Sequence, residues 1–321
     1  MFSMRFDMRA PAFGAPTTDL YTAAIEMSAW AEDHGGLAAV LCEHHGSEDG
    51  YLPVPLILGS AIAARTERLL LTLVVILPLY DPVRLAEEIA VLDIISKGRA
   101  SYVFGLGYRP EEFEHFGLDV KHRGRLADEK LPVLRALLAD GASPPPHTAG
   151  GPMMMWGGAS LAAARRAGRY GIGLLANGTV DGMQEAYEAA CREHSHEPGP
   201  TLLPPSDTPT VTFVADDLDR AWDEIGAYLL HDAQMYAQWN PDNDISAGIS
   251  NAHDVDDLRH NFPSHRIITV ADAVESIRAG ELLNLSPLCG GIPPDIAWPY
   301  LMRVGDKVLP EAQLSTVGSN E

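Results

Sequence analysis

The feature that most constrains the fold is a repeated alternation between short apolar segments and segments whose apolar residues follow helical spacing. Residues 69–77, LLLTLVVIL, are apolar almost throughout, which is typical of a strand buried on both faces of a parallel sheet. Residues 82–95 follow with apolar positions at helical spacing. The alternation recurs along the 321 residues without a break in composition. It predicts a parallel α/β protein, and a single (β/α)8 barrel accounts for the roughly eight strands.

The same periodicity gives approximate bounds for the elements. Strands are predicted at 4–8, 37–42, 69–77, 99–104, 153–156, 173–176, 210–214 and 281–285. Helices are predicted at 19–34, 55–65, 82–95, 126–138, 160–169, 183–194, 218–230, 272–279 and 296–308. Residues 240–264 are polar and poorly periodic, and so long a segment inside a compact domain is usually functional or disordered. We therefore expect one barrel domain over 1–321, with a lid or mobile loop at about 240–264.

Charge and composition exclude several classes of protein. The chain carries 44 acidic and 23 basic side chains, a formal net charge of −21. Nucleic-acid binding needs clustered Lys and Arg, and no such stripe occurs. The longest strongly apolar run, 69–79, is too short to cross a bilayer as a helix. Cys42, Cys191 and Cys289 lie far apart without CxxC spacing, and the amino terminus shows no signal pattern. We expect a cytoplasmic protein that binds neither membranes nor nucleic acid.

Two adjacent histidines stand at the end of the second predicted strand, in LCEHHGSEDGY (41–51). Neighbouring residues of a strand point to opposite faces, so His44 and His45 cannot easily bind one metal ion together. A zinc site would also need His or Cys ligands from other strand ends. One histidine facing the barrel mouth as a proton donor or acceptor is the better interpretation of the pair. A pair of solvated loop histidines fits the spacing equally well.

A glycine-containing turn follows the predicted strand 153–156 and opens the next helix. Gly157, Gly158, Ala159 and Ser160 lie in this turn. Glycine lets the backbone approach a ligand closely, and free N–H groups at a helix start favour an anion such as phosphate. An ordinary strand-to-helix turn with Ser160 as the helix cap explains the pattern equally well.

A second turn, GLGYRPEEF (105–113), follows the predicted strand 99–104. Gly105 frees the backbone there, and the Arg109 guanidinium is suited to an anion or a carboxylate. A surface ion pair between Arg109 and Glu111 or Glu112 has the same support from spacing.

Taken together, these motifs resemble the bacterial luciferase-like family of flavin-dependent oxidoreductases. The resemblance runs in chain order through GGLAAVLCEHHGSEDGY, LVVILPLYDPVRLAEEIAVLDIISKGR, FGLGYRPEEFEHFG, MMWGGASLAAARRAGRYG and PLCGGIPPDIAWPYL. It covers residues 1–180 and 265–310, and rests on little between 195 and 265.

The resemblance implies a (β/α)8 barrel with an insertion near its carboxyl-terminal mouth. It also implies FMN as cofactor, with the deazaflavin coenzyme F420 as the alternative. The phosphate would sit at Gly157, Gly158, Ala159 and Ser160. The isoalloxazine ring would lie against the end of the third strand, where the relatives carry a non-proline cis peptide bond that matches Leu73–Val74.

The resemblance also assigns roles to residues around this ring. Gly105 and Arg109 would lie beside the cofactor or substrate. His44 matches the histidine that relatives use as acid or base near the flavin. Glu43 would orient a neighbour, and His45 would be structural.

The implied function is a monooxygenase that receives reduced FMN from a separate flavin reductase, binds O2 and oxidises a small organic substrate. The chain shows no GxGxxG fingerprint, which agrees with an external source of reduced flavin. F420-dependent hydride transfer, a flavin-binding protein without catalysis and a metal hydrolase are the alternatives. Related barrels dimerise through the helices after the second and third strands, so we expect a homodimer.

Overall fold

One parallel sheet organises the molecule. The computed structural model describes residues 1–241 and 249–314. Its strands are β1 (Phe2–Phe6), β2 (Gly36–Leu41), β3 (Leu70–Ile76), β4 (Ala100–Gly105), β5 (Met154–Gly157), β6 (Gly173–Leu175), β7 (Thr201–Leu202), β8 (Val211–Ala215), β9 (His265–Thr269) and β10 (Leu283–Leu285). Their order is β7-β6-β5-β4-β3-β2-β1-β10-β8-β9, so the last strand returns beside the first, as in a barrel. The predicted α/β class with a parallel sheet is confirmed, with β7 and β9 as unpredicted additions.

Helices connect most of the strands. They are α1 (Thr17–Asp33), α2 (Pro55–Arg65), α3 (Pro82–Ser96), α4 (Pro110–His115), α5 (Arg123–Ala136), α6 (Leu161–Tyr170), α7 (Met183–Glu193), α8 (Leu218–Trp239), α9 (Val255–Asn261), α10 (Val270–Arg278), α11 (Pro294–Arg303) and α12 (Leu309–Leu314). α8 continues to Trp239, beyond its predicted end at 230. None of these helices has the length and apolar character that a membrane crossing requires.

β3 shows how the apolar runs build the core. Leu71, Leu73 and Val75 are fully buried on one face, because side chains alternate along a strand. Leu73 packs toward α2, where a Cβ added to Gly59 would lie 3.1 Å from Leu73 Cδ2. Its side chain therefore faces the helix layer, and any contact of Leu73 with a cofactor would have to come from its backbone.

The peptide bond between Leu73 and Val74 is trans, so the prediction of a cis bond there is wrong. Val74 pairs with Val103 in a parallel ladder that runs without a break from one strand to the other. Continuous pairing of this kind needs an extended trans backbone. The described residues hold one cis peptide, Ser143–Pro144.

The register of the sheet brings three strand ends to one edge. Ile76 of β3 pairs with Gly105 of β4. Phe104 pairs with Trp156, so Gly105 and Gly157 end adjacent strands side by side. The two glycine-containing turns predicted from sequence are therefore neighbours in space.

The segment between β8 and β9 is an insertion that carries α8 and α9. Part of the predicted lid at 240–264 is the helix α9, while residues 242–248 lie outside the described residues. The lid role of this segment stays a prediction. The hydrophobic core forms one cluster that reaches from Phe2 in β1 to Ala312 in α12.

Candidate active site

His44 lies just after β2, and its ring is bonded at both nitrogens. Nδ1 lies 2.8 Å from Oε1 of Glu112, and Nε2 lies 2.9 Å from the hydroxyl oxygen of Tyr108. Glu112 is in α4, which begins directly after the turn that follows β4. His44 and Glu112 are buried, whereas Tyr108 is 37 % exposed. Glu112, His44 and Tyr108 therefore form a chain of hydrogen bonds from a buried carboxylate to a partly exposed hydroxyl at the barrel mouth.

The charges of this trio follow from its surroundings. Burial lowers the pKa of His44, against the opposing effect of Glu112. Burial would raise the pKa of Glu112, but hydrogen bonds from His44 and from the His45 N–H, together with the Arg109 charge, hold it below its ordinary value. An ionised carboxylate only accepts, so the neutral imidazole carries its proton on Nδ1. Nε2 is then an acceptor, and the Tyr108 hydroxyl donates to it.

The second histidine has a different environment. His45 Nε2 lies 2.5 Å from Oε1 of Glu43, and the other oxygen of Glu43 accepts from the Ile76 N–H at 2.9 Å. Glu43 therefore ties the end of β2 to the end of β3 and orients His45, as predicted. The two histidine rings bond to different carboxylates and do not converge on a common point.

Arg109 is buried at the same edge and is 7 % exposed. Its Nη1 donates to the His45 carbonyl at 2.9 Å and lies 3.3 Å from Oε1 of Glu112. The pairing with Glu112 was one of the two interpretations open from sequence, but it is a buried contact and not a surface one. Because Nε has no hydrogen-bond partner among the described residues, Arg109 keeps a free donor.

An aromatic cluster from α8 and the loop after β2 surrounds His44. We call Tyr51, Tyr236 and Trp239 the mouth cluster. Their ring centres lie 4.9, 6.2 and 4.8 Å from that of His44. Tyr51 and Tyr236 also join through their hydroxyls at 2.7 Å. Sequence reasoning missed the two α8 residues, although the spacing of Ile225, Leu229, Ala233 and Tyr236 carries the signal.

A buried ion network lies beneath the mouth cluster. Asp232 of α8 accepts from Arg5 at 3.0 Å and from Arg9 at 3.1 Å, and lies 3.0 Å from His265. Arg9 also pairs with Asp49 at 2.6 Å. Burial acts against the charge of Asp232, but the two arginines and His265 hold its pKa far below its ordinary value. Cys289 lies close to Asp232 and His265, yet two guanidiniums already neutralise this carboxylate.

The turn from β5 to α6 is the segment in which the sequence predicted a phosphate site. Ser160 caps α6 by accepting from the Ala163 N–H at 3.2 Å. A Cβ on Gly157 would lie 3.0 Å from Val103 Cγ1, and one on Gly158 would lie 3.0 Å from Ala163 Cβ. A side chain at either position would therefore require these neighbours to shift. In the following helix Arg166 is bonded to Asp128 at 2.8 Å, so its charge is already paired with a carboxylate.

A family model described as luciferase-like monooxygenase matches residues 4–273. Among curated proteins, the oxygenase component of flavin-dependent trigonelline monooxygenase from Acinetobacter baylyi is 31% identical over 140 residues, 42% of this chain and 39% of that protein. The matches to the first curated relatives span 32% and 25% of their lengths.

Solved structures share the fold over nearly the whole chain. Monooxygenase RslO1 from Streptomyces bottropensis superposes with a TM-score of 0.73 at 20% identity, covering 97% of this chain and 99% of that one. The oxygenating constituent of 3,6-diketocamphane monooxygenase from Pseudomonas putida, in complex with FMN, gives 0.68 at 18% identity, with 97% and 98% covered. Both neighbours support the barrel fold.

Proposed function

The chain belongs to the luciferase-like monooxygenase family, and on that premise we propose that it is a flavin-dependent monooxygenase that uses reduced FMN and O2 to oxidise a small organic substrate. The observation that carries the proposal is the His44 ring, bonded to Glu112 and Tyr108 at the same edge of the sheet as the β5–α6 turn. The names of two similar proteins support the use of flavin and O2. The trigonelline enzyme is called a flavin-dependent monooxygenase, and the 3,6-diketocamphane monooxygenase structure is in complex with FMN.

The residues at this edge fit FMN. The turn of Gly157, Gly158, Ala159 and Ser160 would hold the phosphate at the start of α6, because the first N–H groups of a helix lack partners within it and its amino end favours an anion. The Gly158 N–H already donates to the Leu175 carbonyl at 3.0 Å, so Gly158 would contribute close approach of the backbone and not a donor. A Cβ on Gly105 would meet no atom within 4 Å, which leaves open space beside the strand ends for the flavin ring. Val74 would contribute from β3, where it pairs with Val103, two residues before Gly105.

Bound reduced FMN would supply the electrons that allow one oxygen atom of O2 to enter the substrate. The protein itself would handle the protons. Nε2 of His44 accepts the hydrogen bond of the Tyr108 hydroxyl, so it would be the atom that accepts a proton from a reacting group, and Glu112 would stabilise the imidazole when it becomes charged. Burial raises the pKa of Tyr108, so its hydroxyl keeps its proton and remains a hydrogen-bond donor to Nε2.

Riboflavin, which lacks the phosphate, gives a direct test of the β5–α6 turn. We expect the protein to bind FMN about 10–100-fold more tightly than riboflavin, since hydrogen bonds to a charged group contribute about 1.5–3 kcal/mol. Gly158→Ala should remove most of this preference because its Cβ would press on Ala163, and riboflavin affinity should stay unchanged. Both ligands can be titrated by quenching of flavin fluorescence.

Gly124→Ala is the matched control, because Gly124 lies in α5 and has only the Arg166 side chain nearby, at 3.4 Å. This variant should keep the wild-type preference for FMN. Equal affinities of the wild-type protein for FMN and riboflavin would contradict the assignment of the phosphate site.

We further propose that a separate flavin reductase delivers the reduced FMN. The term oxygenase component in the name of the trigonelline enzyme supports such a division of labour for that protein. We also propose a single barrel domain that works in the cytoplasm. The continuous core supports one domain, and the three free cysteines agree with a reducing compartment.

A homodimer is supported by an apolar surface on α2 and α3. Val91, Ile94 and Ile95 of α3 are 40–43% exposed, and Ile57 of α2 is 71% exposed. Apolar side chains grouped on neighbouring helices usually mark an interface. We therefore propose that two copies of the chain pair through these helices.

Ile94→Glu is expected to convert the dimer to a monomer, because the carboxylate would be buried without a partner in the interface. Light scattering after size-exclusion chromatography measures the change. Val133→Glu on α5 is the matched control, since Val133 is also 43% exposed but lies on another helix. A wild-type monomer, or a dimer that Val133→Glu breaks and Ile94→Glu does not, would contradict this interface.

A further inference from the structure

Two buried guanidinium groups meet on one ring at the mouth. Arg9 Cζ lies 4.4 Å and Arg109 Cζ lies 4.1 Å from the centre of the Trp239 ring. Each keeps an unpaired buried nitrogen among the described residues, Nη2 in Arg9 and Nε in Arg109. Arg9 is fully buried and Arg109 is 7% exposed. A buried donor without a partner is unfavourable, so each of these two nitrogens indicates a place for an acceptor.

The chemistry of that acceptor follows from the donors. A guanidinium has no acceptor of its own and binds carboxylate oxygens more strongly than neutral ones. Nε and Nη1 of Arg9 and Nη1 of Arg109 are already engaged. Arg9 binds Asp49 and Asp232, and Arg109 binds Glu112 and a backbone carbonyl. These bonds hold both guanidiniums in place. Arg9 Nη2 and Arg109 Nε are therefore positioned to donate to a ligand.

The residues around Trp239 would also favour a ligand with a planar aromatic ring. Besides the two guanidiniums, the Trp239 ring lies 5.8 Å from Tyr51, 5.7 Å from Tyr236 and 4.8 Å from His44, centre to centre. Cations and aromatic edges of this kind attract the face of an aromatic ring. Trp239 is also the last residue of α8, where helices commonly fray, so its side chain can leave without unfolding the helix.

We propose that the substrate is a planar aromatic carboxylate, whose ring takes the place of the Trp239 indole and whose carboxylate accepts from Arg9 Nη2 and Arg109 Nε. The ring would then lie beside His44, with the Tyr108 hydroxyl close by. This inference deepens the proposed function and rests on it for the reaction, whereas the binding step itself requires no turnover.

Benzoate and benzamide are matched probes, since they share the ring and differ in charge. Each is titrated calorimetrically into FMN-loaded protein, and benzoate is expected to bind at least about tenfold more tightly. Trp239→Ala should tighten benzoate binding several-fold because the indole no longer competes for its place. Trp298→Ala, at a tryptophan of α11 that packs against Trp30, should leave the affinity unchanged.

Arg109→Gln should reduce the preference for benzoate over benzamide several-fold, because Arg9 Nη2 remains as the second donor. Arg65→Gln, which removes a guanidinium exposed beside Glu26, should retain it. If the Arg109→Gln protein does not fold, Arg109→Lys provides a second test. Lysine keeps the positive charge but lacks the Nε donor. Arg109→Lys should then lose the part of the preference that depends on the Nε donor.

Equal binding of the two probes, no binding of either, or weaker benzoate binding by Trp239→Ala would overturn the proposal. Benzoate that competes with FMN would also overturn it, because the arginines would then serve the cofactor. Failure of the proposed function has a different signature, in which the protein does not bind FMN at all. Benzoate titrated into flavin-free protein would still report on the two arginines in that case.

Discussion

His44→Ala is expected to lower product formation by about 10²–10⁴-fold, the range that general acid–base catalysis contributes. The change removes the one nitrogen, Nε2, that accepts from the Tyr108 hydroxyl at the mouth. Affinity for reduced FMN should change little, because the proposed phosphate turn lies on β5 and α6. Incorporation of ¹⁸O from labelled O2 into product, with a reductase supplying reduced FMN, measures the loss.

The neighbouring histidine provides the matched control. His45→Gln keeps a group able to bond to Glu43 and leaves the His44–Glu112 pair untouched, so it should retain most of the activity. Tyr108→Phe should lie between the two, because it removes the donor to Nε2 but not the imidazole. A His44→Ala protein as active as His45→Gln would show that His44 does not carry the proton.

Asp232→Asn is expected to lower the free energy of unfolding by about 3–5 kcal/mol at neutral pH, as breaking a buried ion pair does. The substitution leaves Arg5 and Arg9 buried without the carboxylate that binds both. The pKa of Asp232 is held below its ordinary value. The stability that the Asp232 carboxylate contributes is therefore fully present at a pH above the ordinary pKa of an aspartate, and it is lost as the pH falls from there toward the lower pKa of the folded protein. Urea unfolding at pH 7 measures the effect.

Asp216→Asn is the control, since Asp216 binds Arg303 and Lys307 at the surface. Exposed ion pairs contribute little, so this variant should unfold at the wild-type urea concentration. If Asp232→Asn were as stable as Asp216→Asn, the buried network would not be what holds α8 over the sheet.

The alternation of apolar and helical segments predicted the class of fold because both faces of a parallel sheet are buried. The runs that became β2, β3 and β4 were visible for that reason. β7 was missed because it has two exposed residues, and β9 because it follows directly on a polar segment. A pattern of apolar residues in the sequence cannot indicate a strand that buries few apolar side chains.

At the site, the sequence indicated His44, Arg109 and the glycine turns, since each follows an apolar strand directly. It could not indicate Glu112 as the partner of His44, because 68 positions separate them and only the register of β2, β3 and β4 joins them. The same holds for Trp239, which reaches the mouth because α8 continues past its predicted end. The cis bond at Leu73–Val74, implied by resemblance alone, is absent because β3 pairs without interruption there.

The most direct test of the flavin assignment is an anaerobic titration of the purified protein with reduced FMN, oxidised FMN and F420. Our account predicts that reduced or oxidised FMN binds at least about tenfold more tightly than F420, because the chain is proposed to work on FMN delivered from outside. Tighter binding of F420 would contradict it and indicate hydride transfer without oxygen insertion. Folded protein that binds none of the three would contradict the flavin assignment altogether.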